Sequence, residues 1–191
     1  MFLNRFAKKT DEELLRSVKE GEEKALTELY QRYSKPMLRY FHRMLWKDEN
    51  KAQDFLHDLF VKIIERPEVF DQSRKFSTWF YSVAHNMCKN EYRKQSYREG
   101  VQHIIRQPEG EDNRIHEAMD EKQFMIMLDN AMLLWSEEDR SLFVLRHELE
   151  MTFTEIGLVL GCPEGTAKSR WFYLRKLMAE QFHEFQGVFK V

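Results

Sequence analysis

Apolar residues recur along this chain at spacings of three and four, and hardly anywhere at the alternating spacing of a strand. Thr10-Asp11-Glu12-Glu13 fits a capping box, and a first helix is predicted from about Asp11 to Glu20, stopped near Gly21. A longer pattern follows through Ala25, Leu29, Tyr33, Met37, Phe41 and Leu45, with Pro36 inside it, where a kink or local break is expected. Phe55, Leu56, Leu59, Phe60, Ile63 and Ile64 mark one face of a third helix that ends before Pro67. Residues 66–75 read as a loop. A fourth helix is predicted from Phe76 to about Lys94, with Trp79, Phe80, Val83, Ala84 and Met87 to one side.

The pattern then lapses. Residues 95–117 are polar and contain Gly100, Pro108 and Gly110, the composition of a linker. A second apolar block opens near Met119. Ser136 and Thr152 each start a helix, the latter with a capping box closed by Glu155. Gly161-Cys162-Pro163 turns the chain into a last helix, about Glu164 to Gln181. The expected fold is all-α: two small helical domains joined by a flexible linker, the second ending in a helix-turn-helix. The boundaries are 1–95, a linker at 96–118, 119–183, and a tail at 184–191.

Composition agrees. Only 7 Gly and 4 Pro in 191 residues leave little room for a many-turned β protein, and 42% hydrophobic residues suffice for a core. No apolar run approaches a membrane span, and the charged N-terminus does not read as a signal peptide, so a cytoplasmic protein is expected. Two cysteines, Cys88 and Cys162, cannot form a disulfide framework, and no paired metal-ligand spacing exists. Neither a metal, a cofactor nor a small-molecule substrate is expected.

The net charge of -2 conceals an asymmetry. Residues 1–94 carry 19 basic and 15 acidic side chains, a net of +4, whereas residues 95–191 carry 11 and 17, a net of -6. Within both halves there are basic clusters, Arg74 to Lys94 and Thr166 to Leu177. Local clusters, not the total, set the field that a phosphate backbone feels. In the last helix, Ala167, Trp171, Leu174 and Met178 form the packing stripe. The opposite face offers Lys168, Ser169, Phe172, Tyr173, Arg175 and Lys176, either a DNA-reading surface or a solvated cationic face.

Four stretches together resemble the extracytoplasmic-function (ECF) sigma factors of bacterial RNA polymerase. They are Ala25–Tyr33; Ala52–Lys62; Phe76–Asn86 continuing to Arg93; and Thr154–Gly157 with Gly161–Arg170. They stand in the family's order across most of residues 22–180. The resemblance implies that Gln53, Asp54, His57 and Asp58 dock on core RNA polymerase. It further implies that Asn86, Lys89, Asn90 and Arg93 contact the −10 promoter strand, the loop 66–75 matching the family's base-capturing loop. Thr166, Lys168, Ser169, Phe172, Tyr173, Arg175 and Lys176 would contact −35 DNA. Many members carry Arg where Tyr173 stands, so the family's common −35 sequence does not transfer. Trp171 is bulky for its place and is expected to tilt the helix. Trp79 reads as core rather than a base platform.

The implied activity is promoter-specific transcription initiation without catalysis of its own, and the implied partners are core RNA polymerase, promoter DNA and an anti-sigma factor. The alternative is a sigma-like decoy that sequesters an anti-sigma protein, which would have little use for Lys168, Arg170, Arg175 and Lys176. A stand-alone helix-turn-helix repressor would leave the Asp54 and Trp79 segments unexplained. His147-Glu148 lacks the second histidine of a zinc protease, and neither a Walker loop nor a GxSxG motif occurs.

Overall fold

The computed structural model describes residues 5–66, 70, 74–99 and 121–182, with side-chain surroundings for all of these but 98–99 and 121–125. Among them the regular structure is helical: α1 (Asp11–Lys19), α2 (Glu23–Met44), α3 (Glu49–Glu65), α4 (Phe76–Glu99), α5 (Glu121–Leu134), α6 (Glu137–Phe143), α7 (Phe153–Leu160) and α8 (Glu164–Gln181). A single π turn, Val144–Glu148, extends α6. Both predicted capping boxes form, Thr10 with Glu13 and Thr152 with Glu155, and Ser136 caps α6.

Two expectations need correcting. α2 is not broken at Pro36 but continues through it for 22 residues. Proline removes one rung of the helix ladder, while Met37, Tyr40, Phe41 and Met44 beyond it are all buried and hold the segment in place. α4 overruns its predicted end at Lys94 and reaches Glu99, because no Gly or Pro interrupts it before Gly100. The first residues assigned to the linker are therefore helical, and its remainder, 100–118, lies outside the described residues, as does the tail at 184–191.

The first half packs α1, α2, α3 and α4 around Leu29, Tyr40, Phe41, Leu59, Phe76 and Phe80. Rings supply much of this core: Phe76 stacks on Phe80 at 5.2 Å, and Tyr33 meets both rings edge-on. Arg32 holds the N-terminal segment against α2, bonding Asp11 at 2.7 Å, Glu28 at 3.0 Å and the carbonyl oxygens of Ala7 and Lys9. The start of α4 is fixed from α1, whose Glu12 carboxylate accepts the Phe76 N–H at 2.8 Å. Burial pushes Glu12 up, but this bond and its neighbours outweigh burial and hold it below the usual carboxylate range.

The second half packs α6, α7 and α8 around Phe143, Leu145, Ile156, Ala167 and Leu174. It also docks on the first half. α6 lies against α2, α7 lies against α4, and Tyr40 and Ser141 share a buried hydrogen bond of 2.9 Å.

Candidate nucleic-acid interface

α7, the turn and α8 form the predicted helix-turn-helix, and two glycines make it possible. Gly161 ends α7 at φ 68, the left-handed conformation that costs a side-chain-bearing residue about 1–2 kcal/mol. Gly157 faces the turn so closely that a Cβ there would lie 2.7 Å from the Cys162 carbonyl oxygen. Across the turn, Thr154 donates to the Glu164 carboxylate at 2.8 Å, and Glu164 pairs with Lys168 one turn into α8. The bonds from Lys168 and then Thr154 hold Glu164 below its ordinary range.

The two faces of α8 separate as predicted. Ala167, Leu174 and Met178 are buried, and Trp171 is half-buried with its ring 6.4 Å from Phe143. Lys168, Ser169, Phe172, Tyr173 and Lys176 are exposed, while Thr166 and Arg175 are half-buried. Phe172 and Tyr173 are 66% and 68% exposed and meet edge-on, with ring centroids 5.6 Å apart. Two large aromatics held in water on a helix surface mark a face that has a partner to meet.

On α4, Asn86, Asn90 and Arg93 are exposed and Lys89 is half-buried, all along one stripe. The stripe is braced from behind. Trp46, in the turn after α2, meets Tyr92 edge-on at 4.8 Å, Lys51 pairs with Glu91 at 2.7 Å, and the Tyr92 hydroxyl donates to the Met44 carbonyl. Trp79 is partly buried against Phe70 and Phe76, which supports its core reading. Of the loop 66–75, only Arg66, Phe70, Arg74 and Lys75 are among the described residues; Phe70 is buried against Trp79 and Phe76.

On α3, Gln53, Asp54, His57 and Asp58 are all exposed, opposite the buried Ala52, Leu56, Leu59, Phe60 and Ile63. Gln53 also lines an open groove of about 430 Å³ with Leu38, Arg39, His42, Glu49 and Asp129.

Sequence reasoning missed one set of residues at these surfaces. Lys75, at the start of α4, pairs at 2.7 Å with Glu155 of α7, and that bond above all drives the Glu155 carboxyl down to about 2. Glu137 of α6 is pushed up by burial and then by Glu138, against the pull of Lys89, Arg140 and Arg93. The capping box explained Glu155 so completely that nothing in the sequence pointed to a second role.

Comparison with known proteins gives the same likeness. Residues 29–98 match the sigma-70 region 2 family. The ECF RNA polymerase sigma factor SigW of Bacillus subtilis is 25% identical over 179 residues, covering 89% of this chain and 95% of SigW. The ECF sigma-E factor of Haemophilus influenzae is 27% identical over 183 residues, covering 88% and 93%. Over most of its length the chain is similar to ECF sigma factors, and its residues 29–98 carry the match to sigma-70 region 2. These relatives support a sigma-factor role in transcription initiation, which is not an enzymatic one. Solved structures agree on the fold. CnrH, in its complex with the cytosolic domain of CnrY, superposes with a TM-score of 0.68 at 18% identity, covering 92% of this chain and 99% of CnrH. The sigma factor RpoE of Bartonella quintana, solved with the anti-sigma factor NepR, gives 0.59 at 20% identity, covering 76% and 89%. No described helix of the chain is long and apolar enough to cross a membrane.

Proposed function

We propose that this chain binds core RNA polymerase through α3 and directs it to promoters by contacting a −10 element with α4 and a −35 element with α8. The observation that carries this reading is the division of faces. On each of the three helices the buried residues lie to one side, and the residues assigned to a partner are exposed or half-exposed on the other.

The chemistry differs between the three. On α3, Asp54 and Asp58 stand one turn apart on an otherwise amphipathic helix, suited to a basic partner helix. No ion pair ties either to another described residue. On α4, Lys89 and Arg93 supply cations for a strand backbone, and Asn86 and Asn90 supply amides for base edges. On α8, Lys168, Arg175 and Lys176 suit phosphates, Thr166 and Ser169 offer hydroxyls near the helix N-terminus, and Phe172 and Tyr173 face the bases.

The structurally similar RpoE was solved with the anti-sigma factor NepR and CnrH with the cytosolic domain of CnrY, and an anti-sigma protein is proposed as a partner of this chain as well. A decoy role is disfavoured by the cations that α8 keeps exposed.

Asp54→Ala tests the polymerase assignment. The substitution removes an exposed charge and leaves the buried face of α3 untouched, so the helical content is expected to stay the same while affinity for core polymerase falls. An unchanged holoenzyme yield would remove Asp54 from the interface.

A further inference from the structure

We propose that Tyr97, near the C-terminal end of α4, is a stacking platform for one unpaired base of the −10 strand. The inference rests on the assignment of α4 to that strand and deepens it.

The stripe continues beyond the residues assigned to it. Asn86, Asn90, Arg93 and Tyr97 follow one another at steps of four, three and four, the spacing of one helix face. With 3.6 residues per turn, Tyr97 falls within about 20° of Asn86 around the axis and roughly 16 Å along it. The opposite side of the helix keeps to the core: Ala84 and Cys88 are buried and Gln95 is half-buried. Tyr97 therefore points away from the protein. It is 89% exposed, more than Phe172 or Tyr173, and no ring contact or hydrogen bond holds it among the described residues.

Surface aromatics scattered singly are ordinary, but this one stands in line with Lys89 and Arg93. Sites for a single strand combine cations that follow the backbone with aromatic rings on which bases stack. The stripe as assigned holds cations and two amides but lacks a ring. Trp79 does not supply it, being packed against Phe70 and Phe76. Tyr97 does. Arg93 stands one turn before it, about 6 Å along the axis, so one nucleotide can set its phosphate on Arg93 and its base on the Tyr97 ring.

A ring on an open helix face has no walls with which to tell bases apart, and every base has a flat face to offer it. A closed duplex has none to spare, its bases being stacked on one another. Tyr97 is thus a positioning residue. It favours the opened strand over the duplex and leaves the reading of sequence to Asn86 and Asn90.

The test uses the full chain bound to core polymerase, and forked promoter fragments that are single-stranded through the −10 segment. In one series each fragment lacks a single base of that segment but keeps its sugar and phosphate. The wild type should lose about tenfold in affinity at one step of the series, the size of one base–aromatic stack. Tyr97→Ala should bind the intact fork about tenfold more weakly and lose nothing more at that step. Tyr97→Phe keeps the ring and should match the wild type throughout. Tyr97→Ala that binds the intact fork as tightly as the wild type, or that loses as much as the wild type at every step, would overturn the inference. So would Tyr97→Phe as weak as Tyr97→Ala, since the hydroxyl and not the ring would then make the contact. A lowered thermal midpoint of the free Tyr97→Ala chain would overturn it too, since the ring would then be packed in the fold. In each of these cases the wild type still holds the fork and α4 keeps its assignment. A wild-type holoenzyme indifferent to the loss of every base in the segment would instead reject the −10 assignment of α4, and this inference with it.

Discussion

Tyr173 and Phe172 face solvent on α8 with only one hydroxyl between them, so the bases they meet are read differently from those met by a guanidinium. The apolar group presented in the major groove is the thymine methyl. A −35 site read by this pair should therefore contain thymine at the facing step. Replacing that thymine by deoxyuracil deletes one methyl, worth about 0.8 kcal/mol, or roughly a fourfold loss of affinity. Tyr173→Ala with Phe172→Ala should abolish the discrimination, and an undiminished preference for thymine in that variant would refute the assignment. Lys168 acts by charge and not by shape. Lys168→Ala is expected to weaken binding across all sequences and to lower the salt slope by about 1, with unchanged helicity. An unchanged slope in filter-binding or anisotropy titrations would exclude the phosphate contact. His85 is a residue of another kind, buried beside Tyr40 and Ser141 with its Nδ1 3.4 Å from the Tyr40 hydroxyl. Burial first, and then Lys89, push it down to about 4, against Glu138. Its folded value lies below the unfolded one, so the neutral ring suits the fold, and stability is lost as pH falls from about 6.5 towards 4. Over that window the wild type should lose about 3 kcal/mol relative to His85→Gln, measured by urea unfolding. Parallel curves for the two proteins would contradict this.

At the scale of elements, the helix-turn-helix was the most legible part of the chain. A capping box, a Gly in the turn and a clean packing stripe gave α7 and α8 with their faces correctly assigned. These are local rules, and tertiary context had little to override. Gly157 is the element's tightest constraint. Gly157→Ala forces a Cβ towards the Cys162 carbonyl and should cost about 1–3 kcal/mol, with −35 affinity falling as the crossing of α7 and α8 shifts. A fully stable variant with intact DNA binding would show that the turn can yield. Elsewhere the local rules were insufficient. Pro36 signals a break, but tertiary burial of Met37, Tyr40 and Phe41 carries α2 through it. Trp46 and Lys47 adopt positive φ in the turn between α2 and α3, a conformation that no glycine advertised. The π turn at Val144–Glu148 also left no sequence signal, since its residues continue the apolar pattern of α6.

For the molecule as a whole, the order of the four motifs carries the likeness to ECF sigma factors, and the exposed faces follow from simple helical periodicity. The relation between the halves was not legible in the same way. The charge imbalance hinted at an acidic half meeting a basic one, but only the folded structure pairs Lys75 with Glu155 and seats Tyr40 against Ser141. Such contacts join residues about 80 and about 100 positions apart, beyond the reach of any local pattern. The molecule that emerges carries three exposed stripes, on α3, α4 and α8. On the proposed function, these stripes let polymerase find promoters that it does not find alone. The most direct test is transcription in vitro from fragmented DNA of the source genome, by core polymerase with and without this chain, with the RNA 5′ ends sequenced. New start sites that share two spaced upstream elements are the predicted result. An unchanged set of starts, from polymerase that has bound the chain, would contradict the account.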